Sequence, residues 1–273
     1  MAVGTALDAV MDWPVGAAAV GVLGRDGVLA RTGPSERSFR LASVTKVLTA
    51  LATLVAVEEQ TVGLDDAAGP PGATVRHLLA HASGLPFEGT EPVSAPGTRR
   101  IYSNTGFEVL AATVSERAGV DFEEYVREAV LRPVAMDGTT LAGSAAAGTT
   151  KSSLSDLLAL AAELLEPTIV APSTLHAAIE VAFPGLDGVL PGFGRQSPND
   201  WGLGLELRGT KSPHWTGARN SPATFGHFGA AGTFLWVDPA VRLACVGLTD
   251  REFGAWAVQA WPRLADAVID EFA

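Results

Sequence analysis

Lysine is scarce in this chain of 273 residues, with three against sixteen arginines. Cysteine is scarcer still. The lone Cys245 excludes an intrachain disulfide and reads as a small core residue. Positive charge is deficient overall: a net charge of -11 and a pI near 4.9 disfavour nucleic acid and anionic membrane surfaces as partners. No apolar run is long enough to span a bilayer; the longest, 47–57 and 15–23, stop well short of the roughly 20 residues needed. Residues 1–13 carry two aspartates and no Lys or Arg, the reverse of a secretion signal, so a cytoplasmic protein is expected. The motifs G-x-S-x-G, G-x-x-x-x-G-K-[ST] and G-x-G-x-x-G are missing, which removes support for an α/β-hydrolase elbow and for nucleotide binding.

What remains is a globular composition, 47% hydrophobic, with a clear change of periodicity along its length. Residues 3–11 suit a short amphipathic helix, and 15–23 with 27–30 suit an antiparallel hairpin turning at Arg25-Asp26-Gly27. A long helix, apolar on most faces, opens at Ser43 and runs to about Gln60. Helical patterns follow at 74–81, 105–118, 122–131, 155–165 and 173–181, then a Pro/Gly-rich loop at 183–200. The stretch 142–153 is rich in small residues and reads as a flexible connection. Strand patterns return at 201–207, 225–228, 233–237 and 241–249, before a closing amphipathic helix at 255–272. Strands at both ends of a helical middle predict an α+β fold: one antiparallel sheet built from both termini, with a mostly helical subdomain inserted. The expected division is 1–64 with 200–273, against 65–199, with the active site between them.

Three constellations carry chemistry. One of the few lysines, Lys46, lies in an apolar stretch three residues after Ser43. On a helix that spacing brings Cβ atoms within about 5–6 Å. Burial lowers an amine's pKa, the direction a general base needs, whereas arginine stays protonated. The same tetrad also fits a serine N-cap followed by a lysine that snorkels to water. Tyr102-Ser103-Asn104 could supply a phenol for proton transfer and an amide for a substrate carbonyl; it also fits a packed tyrosine with Asn104 capping a helix. The segment 225–232, Phe-Gly-His-Phe-Gly-Ala-Ala-Gly, reads as a strand that something approaches closely, a substrate or the chain itself at a bulge.

In this order the three motifs resemble the serine β-lactamase and penicillin-binding-protein superfamily, with its S-x-x-K, [SY]-x-N and [KH]-x-G. The Tyr-x-Asn and His-x-Gly variants resemble the class C-related branch, which holds esterases and D-amino-acid peptidases. The stretches 77–86 and 95–106 match that branch too, so the likeness covers most of the chain. The resemblance implies a β-lactamase-like fold and a serine hydrolase of small acyl substrates, an esterase or amidase without metal or cofactor. It implies Ser43 as nucleophile, Lys46 as base, Tyr102 as proton relay and His227 beside Tyr102. Asn104, Gly229, Ala230 and Phe228 would contact substrate, the amides of Ser43 and Ala230 forming the oxyanion hole. A D-amino-acid peptidase, DD-carboxypeptidase or weak β-lactamase is the alternative within the branch, and a ligand sensor with a dead site the non-enzyme one. β-Lactamases usually carry Lys and Thr where this chain has His227 and Phe228, so a substrate carboxylate is poorly served.

Other features weigh less. His77 and His81 have the i, i+4 spacing of a helical metal pair, but Leu78 stands where a zinc protease needs Glu, so a structural role is expected. Asp65-Asp66 reads as a solvated loop and Arg99-Arg100 as a surface pair. Trp201 and Trp215 are open between acyl-pocket lining and core packing.

Overall fold

Short, near-continuous apolar runs, buried on both faces, build the main sheet of the computed structural model, which describes residues 5–143 and 148–273. The strands are β1 (Ala18–Gly24), β2 (Gly27–Thr32), β3 (Phe39–Arg40), β4 (Lys151–Ser152), β5 (Gly188–Leu190), β6 (Gly194–Gln196), β7 (Glu206–Leu207), β8 (Phe225–Gly229), β9 (Thr233–Asp238) and β10 (Leu243–Thr249). Six of them form one sheet in the order β2-β1-β10-β9-β8-β7, each neighbouring pair antiparallel. Ala18 pairs with Thr249, so the two ends of the chain meet at the centre of the sheet. The α+β architecture expected from the sequence, with one antiparallel sheet built from both ends of the chain, is what the chain adopts.

The helices are α1 (Thr45–Glu58), α2 (Val75–Leu79), α3 (Asn104–Ala118), α4 (Phe122–Val126), α5 (Leu154–Leu165), α6 (Pro172–Ala178) and α7 (Ala255–Phe272). One face of the sheet, with Ala19, Leu235 and Val246, packs on α1 and α5; the other, with Val22, Trp236 and Cys245, packs on α7. Between two such layers every strand residue has a side to bury. Helix α1 is buried from Thr45 to Ala56, which explains its apolarity all round. Cys245 is a fully buried core residue. No helix among the described residues is long and apolar enough to cross a membrane.

Several expected elements differ for identifiable reasons. The strand expected over 201–207 shrinks to β7, because Leu203 N–H donates to Ala178 O (2.8 Å) and Gly204 N–H to Leu79 O (3.0 Å), outside the ladder. The helix expected over 74–81 stops at Leu79, and His81 turns to a φ of 53°. The expected helix 122–131 divides into α4 and a π-turn at Arg127–Leu131. The 183–200 loop contains the small β5–β6 hairpin. Helix α5, expected in the helical stretch 65–199, lies on the sheet instead. There Gly21 lets it close in: a Cβ at that position would sit 2.9 Å from Leu158 Cδ1. The expected N-terminal helix is a 3-10 helix, Thr5–Asp12, its residues 3 and 4 lying outside the described part. Residues 144–147 of the expected flexible connection also lie outside it.

Candidate active site

Ser43 sits in a single 3-10 turn, Ala42–Val44, that feeds directly into α1. Ala42, immediately before it, is held at φ 47°, a conformation non-glycine residues rarely adopt and one that clusters at functional sites. One turn along, Lys46 is fully buried. Its Nζ lies 3.5 Å from Ser43 Oγ and donates to Asn104 Oδ1 at 2.8 Å. The Tyr102 and Phe107 rings flank the amine, with centroids 4.7 and 5.6 Å away. Burial lowers the Lys46 pKa to about 7, Glu108 opposing it weakly from α3.

The start of α3 delivers the second motif. Ser103, not Asn104, caps the helix: its Oγ accepts from Gly106 N–H (2.8 Å) and donates to Pro86 O (2.6 Å). That frees the Asn104 amide to hold Lys46. Beneath, the buried His81 ring accepts from Ser103 N–H through Nδ1 (3.1 Å) and packs 4.5 Å from the Tyr102 ring. The Tyr102 hydroxyl lies 3.5 Å from His227 Nε2. Desolvation pushes its pKa well up, a hydrogen bond with Ser43 pulling the other way.

Strand β8 delivers the third. His227 Nδ1 is 2.7 Å from the Phe228 carbonyl, which fixes the tautomer: Nδ1–H donates there and Nε2 is left to accept. Burial first, then the nearby Lys46, lower its pKa to about 3, so the ring is neutral. Alternation sends Phe228 to the other face, among Phe193, Phe253 and Trp215. The mouth of the site is a cavity of about 140 Å³. Ser43, Tyr102, His227 and Ala230 line it together with Phe87, Trp201, Phe228, Phe253, Leu190, Pro191 and Glu206. No Lys or Arg is among these residues.

The structure therefore brings Ser43, Lys46, Tyr102, Asn104 and His227 together, with Phe228 and Ala230 at the cavity wall. Gly229, expected to touch substrate, faces the chain itself: a Cβ there would lie 2.3 Å from Leu41 O. Arg100, expected at the surface, is buried and donates to the carbonyls of Ala80, Ala182, Phe183 and Asn199. His77 stacks on Phe183 and bonds Thr74, while His81 packs under Tyr102; no metal-binding group occurs among the described residues. Asp65 pairs with Arg76. Trp201 lines the cavity and Trp215 stands behind Phe228.

Sequence reasoning missed Phe87, Leu190, Pro191, Phe253 and Glu206. The last belongs to a buried cluster with Lys211 and His214. The scarcity of lysine, which singled out Lys46, could have flagged Lys211 as well.

The family model described as Beta-lactamase matches residues 9–269. The chain belongs to the beta-lactamase family. It is a family of serine hydrolases related to penicillin-binding proteins. A crystal structure of a Mycobacterium bovis protein described as a beta-lactamase shares 54% identity, with a TM-score of 0.97 over 98% of this chain and 99% of that one. Penicillin-binding protein 4* of Bacillus subtilis is 28% identical over 134 residues, 37% of this chain and 30% of its own length. The D-alanyl-D-alanine-carboxypeptidase/endopeptidase AmpH of Escherichia coli is 28% identical over 138 residues, 37% of this chain and 36% of its own. This family member thus matches about a third of those two relatives.

Proposed function

We propose that this chain hydrolyses ester or amide bonds of small acyl substrates through an acyl-enzyme on Ser43. The observation that carries the reading is Lys46: a fully buried amine, 3.5 Å from the Ser43 hydroxyl, with a pKa near 7. At neutral pH a large share of that amine is free to accept the proton as Oγ attacks the carbonyl carbon. The oxyanion that forms is stabilised by the amides of Ser43 and Ala230, each such donor being worth about 3–4 kcal/mol. Collapse of this intermediate breaks the bond to the leaving group, which takes its proton through Tyr102. Water then attacks the acyl-enzyme, gives up a proton along the same path and releases the acid. His227, neutral and accepting at Nε2, keeps the Tyr102 proton in place between these steps.

Uncharged acyl groups suit this cavity better than substrates bearing a carboxylate. Its wall holds no cationic side chain, and His227 stays neutral. The D-amino-acid peptidase reading draws on the names of AmpH and its kin, and the β-lactamase reading on that of the Mycobacterium bovis protein. Both substrate classes present a carboxylate that nothing at the wall receives.

Two measurements test the proposal. An activated ester or fluorophosphonate should add one acyl or phosphonyl mass to the protein, and Ser43→Ala should abolish the increment; an increment that persists overturns Ser43 as nucleophile. In a comparison of nitrophenyl acyl esters, a D-Ala-D-Ala peptide and a chromogenic cephalosporin, the esters should show the highest kcat/KM. A cephalosporin that ranks first reverses the substrate assignment.

A further inference from the structure

A second buried charge cluster abuts the cavity and takes no part in the steps above. Glu206, on β7, lines the cavity yet is 1% exposed. Its carboxylate accepts from His214 Nε2 (2.9 Å), from Trp215 Nε1 (2.8 Å) and from Lys211, whose side chain is fully buried. His214 Nδ1 accepts from Thr216 N–H (3.1 Å), so the proton of that ring is the one directed at Glu206. Lys211 also donates to Asp200 O (2.6 Å) and Leu207 O. Replacing buried ion pairs by apolar residues is often neutral or stabilising, so such a network is weak evidence of a stability device.

Its connections point elsewhere. Through Trp215 the carboxylate holds the ring that backs Phe228, their centroids 5.6 Å apart. Through Lys211 it holds Asp200, and so the neighbouring Trp201, whose ring lies 5.8 Å from Tyr102 and 5.5 Å from His227. Phe228 and Trp201 are two walls of the cavity. We propose that Glu206 is a positioning residue that clamps both walls, through Trp215 and through Lys211, and thereby limits the length of acyl group the site accepts. This rests on the Ser43 acyl-enzyme reading, because the cavity matters to specificity only if the acyl chain occupies it.

The test is a series of nitrophenyl esters from acetyl to octanoyl, measured on the parent protein, Glu206→Gln and Trp215→Phe. The glutamine removes the charge that holds Lys211; the phenylalanine keeps an aromatic ring and removes the indole donor together with one ring of its volume. In both variants the ratio of kcat/KM for hexanoyl over acetyl ester should rise about tenfold relative to the parent. Losing the clamp frees space for a longer chain, whose additional methylenes are then buried. A uniform fall along the series, as a merely structural role would produce, overturns the proposal, and so does an unchanged ratio in a folded variant. Trp215→Phe keeps the question answerable if Glu206→Gln does not fold. A crystal structure of Trp215→Phe separates this proposal from the one beneath it. If the parent fails to label at Ser43, the acyl-enzyme reading falls; a Phe228 ring displaced in Trp215→Phe would still support the clamp, and an unmoved one would overturn it.

Discussion

Lys46 concentrates the chemistry in one titration. Its amine is lowered to about 7 by burial, so kcat/KM for an activated ester should climb as pH rises through 7, where the base form accumulates. Folding responds in the same direction. The amine's ordinary pKa is 10.5, so between about 7 and 10.5 the unfolded chain holds a proton that the folded chain has released, and stability rises with pH across that window. Lys46→Arg keeps the charge and cannot release its proton, so acylation should fall by about 10²–10⁴-fold, the usual worth of a general base. Stopped-flow acylation reads this directly, and a near-parental rate in the arginine variant removes Lys46 from the role of base. Ser43 and Lys46 were legible because their spacing is a linear pattern inside one helical turn. Lys211 is as rare a residue and as deeply buried, but its partners Glu206 and Asp200 meet it across turns that no periodicity announces.

Strand β8 and the turn before α1 are fitted to each other through a missing side chain. A Cβ on Gly229 would stand 2.3 Å from Leu41 O, 2.6 Å from Thr233 Oγ1 and 3.2 Å from the Cβ of Ala42, the strained residue ahead of the nucleophile. Two of these neighbours are backbone or close to it and have no room to yield. Gly229→Ala should therefore displace the Ser43 turn from the strand, costing about 1–3 kcal/mol as overpacking does, with kcat falling more steeply than stability. Thermal melts and esterase rates on the same preparation measure both, and an alanine variant with parental values in each contradicts this fit. The strand was readable from its glycine-rich run, and so was close approach by some partner. That the partner is residues 41–42 was not readable, because the two segments lie nearly 190 positions apart, as the Thr233–Leu41 hydrogen bond makes plain. The 201–207 segment failed in the opposite sense: its pattern is strand-like, yet its N–H groups are used by the ends of α2 and α6.

Assembled, the site draws on both ends of the chain and on its middle, and the fold supplies what local pattern cannot. The three motifs were visible in the sequence because each is short and contiguous; most of the cavity wall was not, since Phe87, Leu190, Glu206 and Phe253 come from four separate segments. Arg100 shows how such segments are held in register. Two residues before Tyr102, its guanidinium donates to Ala80 O (2.6 Å), Asn199 O (3.0 Å), Ala182 O (2.6 Å) and Phe183 O (3.2 Å). One planar cation thus joins the end of α2, the segment after α6 and the approach to Trp201, while its own backbone carries Tyr102. Five donors in a rigid fork can serve four carbonyls at once; an ammonium on a flexible stem has three and no fixed plane. Arg100→Lys should leave at least one buried carbonyl unpaired, at about 1–3 kcal/mol, and lower the melting temperature by about 2–10 °C. Because Trp201 and Tyr102 lose a common anchor, kcat/KM should fall together with stability even at temperatures where the variant remains folded. Measuring both well below the transition distinguishes this from simple unfolding: full activity in the folded lysine variant would mean that the three segments hold the site without the guanidinium between them.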